Sequence, residues 1–325
     1  MADALALWIT GPERAELRAE SVPVPSAEQV CVRAQFSAIS RGTERLVFEG
    51  RVPRSEYQRM RAPFQDGVFP YPLKYGYASV GTVEAGPATL LGRDVFCLYP
   101  HQTRFVVPHD SVLPLPAGVP AARAVLAANM ETALNAVWDA ELAAGDRVCI
   151  VGAGVVGCLV AYLAARHPGT EVCVLDLDPR RANIVERLGA RFVQDDQAPD
   201  DNDLVVHASG APPGLARALE LAAVEARVLE LSWYGEQLVP LALGAAFHAK
   251  RLTLRSSQVG RVPVSHAARW THRRRLATAL RLLADPLLDA LISSDTPFAS
   301  APERLRAIFQ PDSGELCARL SYPLP

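Results

Sequence analysis

The chain has 325 residues, half of them hydrophobic, with 33 Lys and Arg against 35 Asp and Glu. That length exceeds one ordinary core and predicts two domains, while a formal net charge of −2 provides no field to attract nucleic acid or an anionic membrane. A small-molecule partner is the expectation that remains.

The stretch "MADALALWITGPERAEL" places Asp3 before a short apolar run and carries neither a basic leader nor a cleavage pattern. No later segment reaches spanning length without a charge or a turn, so a soluble cytoplasmic protein is expected. Cys31, Cys97, Cys149, Cys158, Cys173 and Cys317 lie far apart in apolar runs and read as buried thiols of a reducing compartment.

From residue 1 to about residue 120 the chain reads as short strands broken by Pro and Gly: "ALALWIT", "QVCVRAQFSAIS", "ASVGTVEAG", "RDVFCLYP", "TRFVVP" and "SVLPLP". This texture predicts a mostly β domain. The irregular stretch between them has a basic helical possibility over residues 55–61, and irregular segments on a rigid scaffold are where sites are often built.

From Ala121 helix and strand alternate strictly: "AARAVLAANMETALNAVWDAEL", "RVCIVG", "VVGCLVAYLAARH", "EVCVLDLD", "PRRANIVERLGA", "RFVQD", "DLVVHAS", "PPGLARALELAA", "ARVLELSW", "LALGAAFHAK" and "RLTLRSSQV". Alternation of this kind predicts an α/β fold with a doubly wound parallel sheet. The helical "RRRLATALRLLADPLLDALI" and a terminal "GELCARLSY" then return to the first domain. The expected division is 1–125 for a catalytic domain, 126–261 for a dinucleotide-binding domain and 262–325 for the return. The basic block from His272 to Arg275 reads as a solvated helix face.

In "IVGAGVVG" a strand leads into Gly152, Gly154, Val155, Val156 and Gly157, and a helix begins at once. Gly152 permits the tight turn, Gly154 lets the backbone approach a pyrophosphate, and Gly157 lets helix and strand pack closely. The phosphate would sit on backbone N–H groups at the helix N-terminus. Asp176 ends the second strand about 20 residues beyond the last glycine, where a ribose-binding carboxylate is expected. That favours NAD(H), with NADP(H) possible because Arg180 or Arg181 could meet a 2′-phosphate.

With "SRGTE", "YPLKYGYASVGTVEAG", "METALNAV", "GDRVCIVGAGVVG" and "VLDLDPRR" in this order, the chain resembles the medium-chain dehydrogenase/reductase family over essentially its full length. The "ISRGTE" and "YPLKYGYASVGTV" wording looks most like its bacteriochlorophyllide dehydrogenase group. The resemblance implies a GroES-like β domain with the substrate site, a Rossmann domain with the nicotinamide cofactor, and frequent pairing as a homodimer.

The resemblance also implies three zinc ligands, and the matching positions are Arg41, Tyr77 and Ala128. None suits the metal, so no zinc is expected. A proton donor must then replace it near the substrate oxygen. Tyr77 is the candidate, with Lys74 placed to lower its pKa; the alternative is a tyrosine packed in its strand. Thr43 corresponds to the family's relay hydroxyl, and Ser40 could substitute for it.

Arg41 could bind a substrate carboxylate or fill the metal's space in a salt bridge with Glu44 or Glu131, and the salt bridge is preferred. Thr132, Ala208, Ser209, Ser232 and Val259 are expected along the cofactor, and Trp233 and Tyr234 as walls of the substrate pocket. His101 and His207 are lesser relay candidates. The reaction expected is interconversion of an alcohol with a ketone or aldehyde. Reduction of an activated C=C bond, as in the family's zinc-free quinone and enoyl reductases, is one competitor, and a dinucleotide-binding sensor or structural subunit without turnover is the other.

Overall fold

The computed structural model describes residues 2–323. They form two compact units, one made of residues up to 128 and from 280 onward, the other of residues 129–279.

The first unit runs through β1 (Ala2–Gly11), β2 (Arg14–Val22), β3 (Gln29–Ile39), helix α1 (Arg41–Phe48), β4 (Leu73–Lys74), β5 (Ser79–Ala85), β6 (Asp94–Cys97), β7 (Arg104–Pro108), β8 (Val112–Pro114), α2 (Ala121–Ala124) and the start of α3 (Ala127–Asp139). Val30, Val32, Val83, Val95, Phe105, Val107 and Val112 form one continuous core, so β-branched residues line the covered face of the sheet. β3 is its organising strand: it pairs antiparallel with β5 and β7.

Two elements differ from the sequence expectation. Residues 41–48 are helical, with Leu46, Val47 and Phe48 buried, although "RGTERLVF" is too short to display a helical period. Residues 55–61 contribute only part of a 3-10 turn, Arg54–Glu56, opened by Pro53, and Pro63 disfavours helical backbone at Ala62.

The second unit continues with β9 (Arg147–Val151), α4 (Val155–Ala164), β10 (Glu171–Leu175), α5 (Ala182–Arg187), β11 (Arg191–Val193), β12 (Asn202–His207), α6 (Pro212–Leu221), β13 (Ala222–Glu230), α7 (Ala246–Ala249), β14 (Thr253–Ser256), α8 (Val264–Ala267) and α9 (His272–Leu282). The six strands lie in the order β11-β10-β9-β12-β13-β14, and every neighbouring pair is parallel. The order reverses between β9 and β12, which is where an open α/β sheet forms a crevice at its carboxyl ends. Val148, Cys149 and Ile150 are fully buried, as both faces of a parallel sheet require.

The return to the first unit adds β15 (Ile292–Pro297), α10 (Ala301–Phe309) and β16 (Cys317–Ser321). β16 pairs antiparallel with β3, Ser321 opposite Phe36, and β15 pairs parallel with β16. Residues 262–279 stay with the second unit instead of opening the return, because Arg275 on α9 is buried there against Glu131 and Asn135. All six cysteines are free thiols and buried. Among the described residues no helix is long and apolar enough to cross a membrane.

Candidate functional site

The second unit carries a dinucleotide cradle at the carboxyl end of β9. Gly152 has φ +111°, and a Cβ there would lie 2.7 Å from the Ser209 backbone, so only glycine lets the β9 and β12 loops cross this closely. A Cβ on Gly157 would lie 1.9 Å from the Gly152 carbonyl oxygen, which fixes how near α4 approaches the turn. Gly154 caps α4 without a side-chain bond, and the place its Cβ would take is open, with no heavy atom within 4 Å. Uncapped amides facing open space fit a pyrophosphate.

Asp176 frames the cradle. Its Oδ2 accepts the Ala153 N–H at 2.6 Å and its Oδ1 the Asp178 N–H at 2.8 Å, which leaves further lone pairs for ribose hydroxyls. Asp178 accepts from both the backbone N–H and Nε of Arg180, and Arg181 Nε lies 3.6 Å from it. The Arg180 guanidinium holds the Asp178 carboxyl below the usual range, so these cations lean toward a carboxylate of the chain.

At the carboxyl ends of β12 and β13, Ala208 donates its N–H to Val151, and Ser209 meets His207 Nε2 at 2.6 Å. Ser232 Oγ accepts the Gly210 N–H at 3.0 Å. Glu230, absent from the sequence reading, organises this edge: it engages His207 Nδ1 at 2.8 Å, the Ser232 N–H at 2.6 Å and the Tyr234 hydroxyl at 2.9 Å. His207 is fully buried and orients Ser209. Tyr234 is tied down by Glu230, and burial first and Glu230 second raise its pKa. Trp233 is half-buried beside it.

Arg275 corrects the view of residues 272–275 as a solvated face. It is 1% exposed, lies 3.0 Å from Glu131, and donates to Asn135 and to the Val259 carbonyl. Burial raises the Glu131 pKa while Arg275 opposes the shift. Thr132 is half-buried next to Glu131 on α3.

The first unit gathers a second group of residues. β3 and β5 run antiparallel with Ser37 opposite Ser79, so Ser40, just after β3, comes beside Tyr77, just before β5. The Ser40 and Thr43 hydroxyls lie close to the Tyr77 phenol, whose pKa is pushed up to about 12, by burial first and then by Glu44, against the pull of those two hydroxyls. It is therefore a protonated donor.

Two sequence assignments fail here. Lys74 does not lower the Tyr77 pKa: its Nζ is buried on Glu20 at 2.7 Å and on Gln102 at 3.0 Å. Arg41 faces neither substrate nor the acids proposed for it. Its guanidinium donates to the carbonyls of Ile308, Gln310 and Glu315 and closes the C-terminus of α10, where a cation is favoured. Glu44 is engaged by His101 and Glu131 by Arg275.

A guanidinium turned toward α10, a phenol and the methyl of Ala128 do not make a zinc site. Among the described residues no group of three or more His, Cys, Asp or Glu side chains could hold a metal ion.

A parallel sheet reversing between β9 and β12, a glycine turn on an uncapped helix and a separate β unit make up the fold of the medium-chain dehydrogenases/reductases. No family model matches the chain. Over 309 residues it is 25% identical to the D-guloside 3-dehydrogenase of Escherichia coli strain K12, covering 85% of this chain and 88% of that one. An alcohol dehydrogenase from Escherichia coli CFT073 complexed with NADH superposes with a TM-score of 0.77 at 17% identity, over 99% of this chain and 100% of that one. A dehydrogenase from Sinorhizobium meliloti bound to NADP gives a TM-score of 0.78 at 16% identity, over 99% and 100%. The chain is an NAD(P)-dependent oxidoreductase of the alcohol dehydrogenase kind.

Proposed function

We propose that the chain interconverts an alcohol with a ketone or aldehyde using NAD(H), without zinc, and that Tyr77 handles the proton. A bound nicotinamide dinucleotide supplies or accepts the hydride. Residues 152–157 and α4 would hold its pyrophosphate, and Asp176 its ribose, with repulsion of a 2′-phosphate as the source of NAD(H) preference. Ser209, Ser232 and the Val259 backbone, fixed by His207, Glu230 and Arg275, would line the remainder.

The observation that carries the reading is the placement of the Tyr77 phenol beside the Ser40 and Thr43 hydroxyls by the β3–β5 pairing. In the reductive direction Tyr77 gives its proton to the carbonyl oxygen as the carbonyl carbon gains hydride, and the two hydroxyls relay a proton back to it. In the oxidative direction each transfer reverses. The D-guloside 3-dehydrogenase among the relatives supports secondary-alcohol chemistry.

Mixing the purified chain with NADH and panels of ketones and of enones tests this, together with elemental analysis of protein prepared without added metal. Oxidation of NADH by ketones with less than about one zinc per chain is expected. Turnover of enones alone, or stoichiometric zinc, would contradict it.

A further inference from the structure

Beneath Tyr77 lies a line of polar side chains that the reading above does not use. Ser37 is fully buried, and His101, Glu44 and Tyr322 are 1%, 4% and 6% exposed. Ser37 Oγ lies 2.9 Å from the Tyr322 hydroxyl and 2.7 Å from His101 Nδ1. His101 Nε2 lies 2.9 Å from Glu44 Oε2. The other Glu44 oxygen, Oε1, accepts the Ser40 backbone N–H at 2.8 Å.

Chemistry fixes the direction of this line. The Gln102 backbone N–H faces the Tyr322 oxygen, and a Glu44 carboxylate can only accept. Every group between them is satisfied when Tyr322 donates to Ser37, Ser37 to His101 Nδ1, and His101 Nε2–H to Glu44. The imidazole also rests on the backbone next to Tyr77: a Cβ on Gly76 would lie 2.8 Å from His101 Nε2 and Cδ2.

Two consequences reach the phenol. Glu44 reaches back to the start of its own helix and holds the Ser40 backbone, while the Ser40 hydroxyl makes no cap bond and lies near Tyr77. The Glu44 charge sits among acids from several elements: Tyr75 and Tyr77 before β5, Cys317 on β16 and Tyr322 after it, each held protonated in part by that charge.

We propose that His101 and Glu44 are positioning residues for the Tyr77 proton donor: His101 fixes the Glu44 carboxylate, and Glu44 holds the Ser40 segment against the phenol. The proposal rests on Tyr77 as the donor. A couple placed so deeply could instead serve the fold alone, and the two roles differ in what they do to the Tyr77 ring.

The test follows the Tyr77 ring carbon bearing oxygen by NMR of labelled tyrosine, assigned with Tyr77→Phe, alongside steady-state kinetics. In Glu44→Gln the Tyr77 midpoint is expected to fall by about one pH unit and kcat by about tenfold, with the NADH dissociation constant within about twofold of native. His101→Leu should lose kcat likewise, and His101→Gln, whose amide can still donate to Glu44, should recover part of it. A Tyr77 midpoint and a kcat unmoved in both Glu44→Gln and His101→Leu would overturn the proposal. If Tyr77→Phe alone keeps native turnover, the donor reading is what fails, and the titration then judges the couple by itself.

Discussion

Asp176 joins two tasks at one carboxylate: it holds the glycine turn through Ala153 and the 176–178 bend through Asp178, and it offers its remaining lone pairs to a ribose. Asp176→Ala should therefore weaken NADH binding by about tenfold or more and relax the preference toward NADPH, measured as two dissociation constants. Equal constants in native and variant protein would remove the assignment. The residue was legible because its spacing from the glycines is set by one βαβ unit. Lys74 and Arg41 were not, since their partners Glu20, Ile308 and Gln310 come from strands and helices whose packing no local pattern announces. Glu230 was missed for a related reason: an acid at a strand end looks ordinary until His207 is seen buried against it.

At the scale of elements, the parallel sheet could be read from the chain because each strand is a short apolar run set off by a helix. The β unit was less open. β2, "RAELRAESV", exposes Arg14 and Glu16 and half-buries Arg18 and Glu20, so it offers no apolar run, and α1 is too short for a period. The meeting of Ser40 with Tyr77 is a product of β3–β5 pairing, so its two ends could be named in the sequence and their contact could not. α9 is the sharpest case, since its polar "HRRR" start delivers Arg275 into the interior. Replacing that side chain by Leu would leave Glu131 buried without its cation, at a cost of about 3–5 kcal/mol. A urea midpoint within error of native would mean the Arg275–Glu131 pair holds nothing together.

Across the whole molecule, buried phenols dominate the shifted acids. Tyr71 and Tyr77 are pushed up to about 12, and Tyr75, Tyr99, Tyr234 and Tyr322 are raised as well, each by burial first. An unfolded tyrosine titrates near about 10. Above that pH the unfolded chain releases protons that the folded chain keeps, so stability present at neutral pH is lost as pH rises from about 10 to about 12. Tyr77 alone accounts for about 2–3 kcal/mol of that loss. Urea midpoints should fall between about pH 8 and about pH 11; a constant midpoint would contradict the burial of these hydroxyls.

The central claim is that a phenol stands where a metal would be expected, and single-turnover mixing of Tyr77→Phe with NADH and the ketone that native protein reduces fastest tests it most directly. The account predicts that the hydride step slows by about 10²–10⁴-fold while NADH binds as before. A variant that oxidises NADH at the native rate would contradict it.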